Sequence, residues 1–177
     1  MKKTAIILGT SRSNGNTADV SNILAQNTNA VVFDINNYNI LPFDYDHKNI
    51  DDDFLPLMDH LLKYENIIFA SPVYWFAMSA QMKIFIDRMS DFLSVESLKD
   101  KGRELRNKAG YVVSTSISEE VDPSFINSFS DTFGYLGIKY GGFVHLNCNK
   151  GFDLSADKKN IDHFVTKLHI SNLNVVT

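Results

Sequence analysis

The chain has 177 residues, 44% of them hydrophobic and 21% charged, a balance and a length that suit one soluble globular domain over residues 1–177 with a core that stands without staples. A formal net charge of -4, with no Lys/Arg cluster to offset it, argues against a nucleic-acid partner or an anionic membrane surface. The single cysteine, Cys148, can form neither an internal disulfide nor a cysteine metal site, which points to the cytoplasm.

Met1-Lys2-Lys3 opens like a secretory leader. The apolar run after it ends at Gly9, too short for a leader core or a membrane span, so no targeting segment is expected. Ala5 to Leu8 reads instead as a first strand. It runs into Gly9-Thr10-Ser11-Arg12-Ser13-Asn14-Gly15-Asn16-Thr17, a loop dense in hydroxyls and amides at the start of a helix marked by Val20, Ile23 and Leu24. Such a loop is suited to hold an anion on outward-pointing N–H groups. It has no Gly-Lys-Ser/Thr and its glycines miss the Gly-x-Gly-x-x-Gly spacing, so the expected anion is a lone terminal phosphate. A turn that merely caps the helix would have the same composition, and both readings stand at this point.

Ala30 to Asp34 reads as a second, buried strand, followed by a long loop from Ile35 to Ile50. Asp51, Asp52 and Asp53 precede a helix with Leu57, Leu61 and Leu62. Three carboxylates invite a metal reading, but acidic residues at a helix start are stabilised by its dipole, which is the reading adopted. Asn66 to Ala70 is a third strand, stopped by Ser71-Pro72. Met78, Met82, Phe85, Met89 and Phe92 then recur at helical steps as a core stripe. Lys99 to Lys108, with five Lys/Arg residues, reads as a solvated connection. Ala109 to Val113 is a fourth strand leading into Ser114-Thr115-Ser116-Ile117-Ser118, a second hydroxyl-rich loop. Asp122-Pro123 starts a helix carrying Ile126, Phe129, Phe133 and Leu136, Phe143 to Leu146 is a fifth strand, and Ser155 begins a last helix.

Five strands alternating with helices predict a doubly wound parallel sheet covered on both faces, a three-layer α/β/α architecture. Ligands bind such sheets outside the carboxyl ends of the strands. That gathers the loops after strands one, three and four. The loop after the third strand, Pro72-Val73-Tyr74-Trp75-Phe76, sets three aromatics in a row, including the only Trp, where they cannot all face a core. A flat wall for a planar ring follows, with backbone N–H groups free for its edge. Trp75 also suits a core or subunit-interface anchor, and the two roles stay open here. One phosphate plus one fused ring system describes flavin mononucleotide (FMN) better than an adenine nucleotide.

Ser11 to Thr17, together with Ser71-Pro72-Val73-Tyr74-Trp75-Phe76-Ala77-Met78-Ser79-Ala80-Gln81-Met82-Lys83-Ile84-Phe85-Ile86-Asp87-Arg88, resembles the NADPH-dependent FMN reductase family of the flavodoxin-like fold. The resemblance follows the element order along the whole chain. It implies FMN with its phosphate on residues 11–17, through Ser11, Arg12, Ser13, Asn16 and Thr17, its ring against Pro72, Val73, Tyr74, Trp75 and Phe76, and its other edge near residues 114–118, through Ser114, Thr115 and Ser116. It also implies a homodimer with flavin sites near the interface. Iron-sulfur relatives carry cysteines in the loop after the second strand; Asn36 to Asn49 holds none, which excludes such a cluster.

With no second nucleotide fingerprint, NADPH or NADH is expected to bind transiently over the flavin and reduce it by hydride transfer. The electrons then pass to a small acceptor: a quinone, a nitro or azo compound, a metal ion or another flavin. No side-chain acid, base or metal is required. The alternatives are a flavodoxin-like electron carrier reduced by a protein partner, which the modest net charge disfavours, and an interaction module that uses flavin only for stability. His47, His60, His145, His163 and His169 show no metal spacing and are expected to be structural or solvated. Cys148 reads as a small buried hydrophobe, and Glu119 and Glu120 as acids ahead of a helix.

Overall fold

A computed structural model describes residues 2–173; Met1 of the leader reading and residues 174–177 of the expected domain lie outside the described residues. The chain runs β1 (Thr4–Leu8), α1 (Asn16–Thr28), β2 (Val31–Asp34), α2 (Phe54–Leu61), β3 (Asn66–Tyr74), β4 (Ala77–Met78), α3 (Ala80–Asp87), α4 (Asp91–Ser94), α5 (Lys99–Arg103), β5 (Ala109–Ser116), α6 (Pro123–Leu136), β6 (Lys139–Asn147) and α7 (Leu154–Leu173). The long strands pair in parallel in the order β2-β1-β3-β5-β6, the expected doubly wound sheet, with two-residue β4 folded back antiparallel on β3.

Alternation along β1 builds the three layers. Ala5 and Ile7 face one core, with Phe54 and Leu57 of α2, Phe85 of α3 and Phe129 and Phe133 of α6. Ile6 and Leu8 face the other, with Val20 and Leu24 of α1 and Ile161, Phe164 and Leu168 of α7. Strands covered on both faces have no polar side to show, which is why β1 and the first half of β3 read as continuous apolar runs. In the first core Phe69 meets Phe133 at 4.9 Å between ring centroids. Burial of each such side chain contributes about 1.5 to 3 kcal/mol.

Several expectations need correction. β2 lies at the sheet edge with Val31 exposed, so it is not a buried strand. Pro72 does not stop β3, which continues to Tyr74 and pairs Pro72 with Thr115. The reason is parity. Asn66 N and Ala70 O bond toward the β1 side, and Pro72, an even step further, points past the end of β1, where no partner needs an N–H. Met78 belongs to β4, and α3 begins only after Ser79, whose Oγ caps it by accepting from Met82 N at 3.1 Å. The basic stretch after Leu98 is α5 and a further short helical turn rather than a plain loop. α7 is capped by Asp153, which accepts from Ser155 N, one step earlier than the Ser155 start. The Asp122 cap with Pro123 in the first turn of α6 is as expected.

The acidic triplet does more than favour a helix dipole. Asp52 pairs with the fully buried Arg88, which also bonds Asp91 at 2.8 Å and lies 4.8 Å from the centre of the Phe54 ring. Arg88 also donates to Leu41 O and Asn49 O, so one guanidinium closes the long loop after β2 against the end of α3. No helix among the described residues is long and apolar enough to cross a membrane.

Candidate functional site

From β1 the chain goes to β2 on one side and returns to β3 on the other, so the loops leaving β1 and β3 part and open a crevice at their carboxyl ends. A cleft of about 460 Å³ lies there, lined by Thr10, Arg12, Gly15, Asn16 and Thr17, by Pro72 to Phe76, and by Thr115 to Ser118. That volume is in the range of small-ligand pockets.

Buried polar contacts hold the three walls together. Gly9 N donates to Ala70 O at 2.9 Å, and Ser79 Oγ donates to Gly9 O at 2.7 Å. The approach is close enough that a Cβ on Gly9 would stand 2.8 Å from Met82 Cβ, so only glycine lets β1 turn over the start of α3. Thr17 and Thr115 share a buried hydroxyl bond of 2.7 Å between α1 and β5. Asn36 Nδ2 donates to Thr10 O at 2.9 Å, and Asn16 Oδ1 accepts from Phe152 N at 3.3 Å.

The first wall is electrostatically incomplete. Gly15 stands at the N-cap of α1 in extended conformation, and no side chain caps the helix. Its first N–H groups and the positive end of the helix dipole therefore face outward. Onto this end folds Arg12, so close to Gly15 that a Cβ there would lie 2.8 Å from Arg12 Nε. Among the described residues Arg12 enters no ion pair. A cation laid on a positive helix end repels it until an anion sits between them, which is what a phosphate monoester supplies.

The second wall is a hairpin. Trp75 and Phe76 both have positive φ, 50° and 66°, and join β3 to β4 in a two-residue turn with Val73 opposite Met78 and Tyr74 opposite Ala77. Left-handed backbone costs a residue with a side chain about 1 to 2 kcal/mol. Here it turns the aromatics outward: Trp75 is 93% exposed and Phe76 67%. Tyr74 reaches back so that its hydroxyl bonds Ser11 Oγ at 2.8 Å, tying the hairpin to the first loop.

Of the residues expected here, Arg12, Asn16, Thr17, Pro72, Val73, Tyr74, Trp75, Phe76, Thr115 and Ser116 line the cleft. Three stand off its wall. Ser11 is engaged with Tyr74, Ser13 Oγ accepts from Asn36 Nδ2 at 3.3 Å, and Ser114 is buried against His145. Thr10, Gly15, Ile117 and Ser118 line it in addition. Gly15, Ile117 and Ser118 fall within the stretches 11–17 and 114–118 that the resemblance sets against the flavin, and Thr10 adjoins the first of them. Cys148 is buried, with its thiol pushed up to about 11 by burial and by the charges of Asp157 and Asp19, as suits a small core residue and not a nucleophile.

Residues 2–138 match the model of the NADPH-dependent FMN reductase family. The chain belongs to that family. It is accordingly an NAD(P)H-dependent oxidoreductase with FMN as cofactor, and the electron-carrier and interaction-module readings fall. A Bacillus subtilis protein named as an NAD(P)H-dependent FMN-containing oxidoreductase, YwqN, is 29% identical over 163 residues, 88% of this chain and 90% of its own length. Among solved structures, a Bacillus subtilis Trp repressor binding protein superposes with a TM-score of 0.71 at 26% identity, over 92% of this chain and 98% of that one. An FMN-dependent NADH-azoreductase from Bacillus anthracis, solved with FMN, gives a TM-score of 0.67 at 12% identity, over 98% of this chain and 99% of that one, a likeness of fold.

Proposed function

We propose that the cleft at the carboxyl ends of β1, β3 and β5 holds FMN in this chain, with the phosphate over Arg12 and the α1 N-terminus and the ring between the Pro72–Phe76 hairpin and Thr115–Ser118. The observation that carries the reading is Arg12, a guanidinium on an uncapped helix start with no carboxylate among the described residues to answer it. FMN, when bound, supplies the hydride-accepting ring and the electrons for a second substrate. The protein's part is placement. Thr17 and Thr115 lock α1 to β5, so the polar and flat walls keep their spacing. Tyr74, through Ser11, keeps the hairpin from swinging away from the phosphate loop.

Trp75, Phe76 and Ile117 leave the rim apolar and open, so a nicotinamide and then a flat acceptor such as a quinone or a nitro or azo compound can occupy the same side in turn. The same exposed tip supports a homodimer in which a second copy covers part of it, and the lone buried thiol supports a cytoplasmic setting. The test is steady-state oxidation of NADH and of NADPH by the purified chain with a benzoquinone. Turnover that requires added FMN supports the reading. A chain that binds FMN yet oxidises neither nucleotide above the FMN-free rate overturns it.

A further inference from the structure

The third wall of the cleft, the turn Ser116-Ile117-Ser118, is held from behind by the end of β6. Cys148 N donates to Ser116 O at 2.7 Å, and Asn147 Nδ2 donates to Glu119 Oε1 at 2.7 Å. The third tie is the His145 ring. Its Nδ1 lies 2.9 Å from Ser114 Oγ, and its Nε2 lies 3.0 Å from Ser118 O and 3.2 Å from Ser116 Oγ. Strand register explains the meeting: His145 pairs with Ser114 across β5 and β6, and Ser116 is two residues on, on the same face.

The partners choose the tautomer. A carbonyl oxygen only accepts, so Nε2 carries the proton and donates to Ser118 O, with Ser116 Oγ sharing it. Nδ1 of the neutral ring then accepts from the Ser114 hydroxyl, which is fully buried. Ser118 N donates to Ser116 Oγ at 3.0 Å, so that oxygen already has two donors directed at it. Its own proton has Ser118 O at 3.4 Å as its partner within the chain, which leaves it free to turn toward the cleft that Ser116 lines.

We propose that His145 is a positioning residue for the cofactor site: held in one tautomer by Ser114, it sets the Ser116–Ser118 turn and aims the Ser116 hydroxyl at the edge of the bound ring. The proposal rests on reading the cleft as the FMN site. Its role differs from core support, because the His145 ring is only part-buried and also lines a second hollow of about 430 Å³ beside Phe143, His163 and Phe164.

Two measurements test it. Long-range ¹⁵N spectra of the FMN-free protein at pH 8 should show His145 with a protonated Nε2 and a bare Nδ1; the opposite tautomer overturns the proposal. In fluorescence titrations, His145→Leu should weaken FMN about five- to fifty-fold and shift the absorption band of the bound flavin. His145→Gln, whose amide N–H can replace Nε2–H toward Ser118 O, should stay within about three-fold of the original protein with its spectrum unchanged. Equal affinity and spectrum for the original protein and His145→Leu overturn the proposal, and so does a Gln variant as weak as the Leu one. If His145→Leu does not fold, Ser114→Ala carries the test, with a smaller loss of affinity expected and no loss overturning it. An original chain that binds no FMN while folded overturns the cofactor reading and this proposal together.

Discussion

The loop closed by Arg88 and the loop crowned by Arg12 both follow a strand and both depend on one guanidinium, yet the two cations are treated in opposite ways. Arg88 is wholly buried and answered on every side, by Asp52, Asp91, Leu41 O and Asn49 O. Arg12 is exposed, lies on the positive end of α1 and pairs with no carboxylate among the described residues. A fully satisfied buried cation is a clamp, and its removal is felt in folding. An unanswered cation at a helix start is kept for a ligand, and its removal is felt in binding.

The largest effect that could break the contrast is on Arg88. Arg88→Ala leaves Asp52 and Asp91 buried without the guanidinium between them, with His47 Nδ1 still 3.0 Å from Asp91 and backbone N–H groups still on Asp52, so the free energy of unfolding should fall by about 3 to 5 kcal/mol, read by urea denaturation. A loss below about 1 kcal/mol would mean that the clamp is idle. Next comes Arg12→Ala. FMN affinity should fall by about 1.5 to 3 kcal/mol, with a larger difference at low salt than at high salt, while the melting temperature of the FMN-free protein stays put or rises. An unchanged affinity would remove Arg12 from the site.

A smaller change sharpens the same point without touching any charge. In Gly15→Ala the new Cβ would press on Arg12 Nε at 2.8 Å, the movable end of a side chain, and the backbone at this position has negative φ. Folding should therefore be unaffected, while FMN binding weakens by roughly 0.5 to 1 kcal/mol as Arg12 is displaced. Isothermal titration beside a melting curve separates the two quantities, and a loss of stability with intact binding would contradict the placement of Arg12.

The alternation of apolar runs and helical stripes was enough to read the layered sheet and the cluster of loops after β1, β3 and β5, because buried parallel strands leave a plain signature. What escaped reading depends on pairing rather than pattern. Pro72 looks like a strand breaker until its side of β3 is known to face past the end of β1. The β3–β4 hairpin carries Trp75-Phe76 where Asn-Gly would mark such a turn. Arg88 reads as one more residue of a helix until Asp52 and Asp91 meet it. His145 looks like the other histidines in sequence because its partners Ser114 and Ser116 lie some thirty positions away and meet it only through the β5–β6 register.

If the cleft is built around a terminal phosphate at Arg12 and the start of α1, titrating the FMN-free chain with FMN and with riboflavin, which has the same ring and no phosphate, should separate the two ligands. FMN should bind roughly a hundred-fold or more tightly, with the gap narrowing as salt is raised. Equal affinity for the two, at any salt, would contradict it.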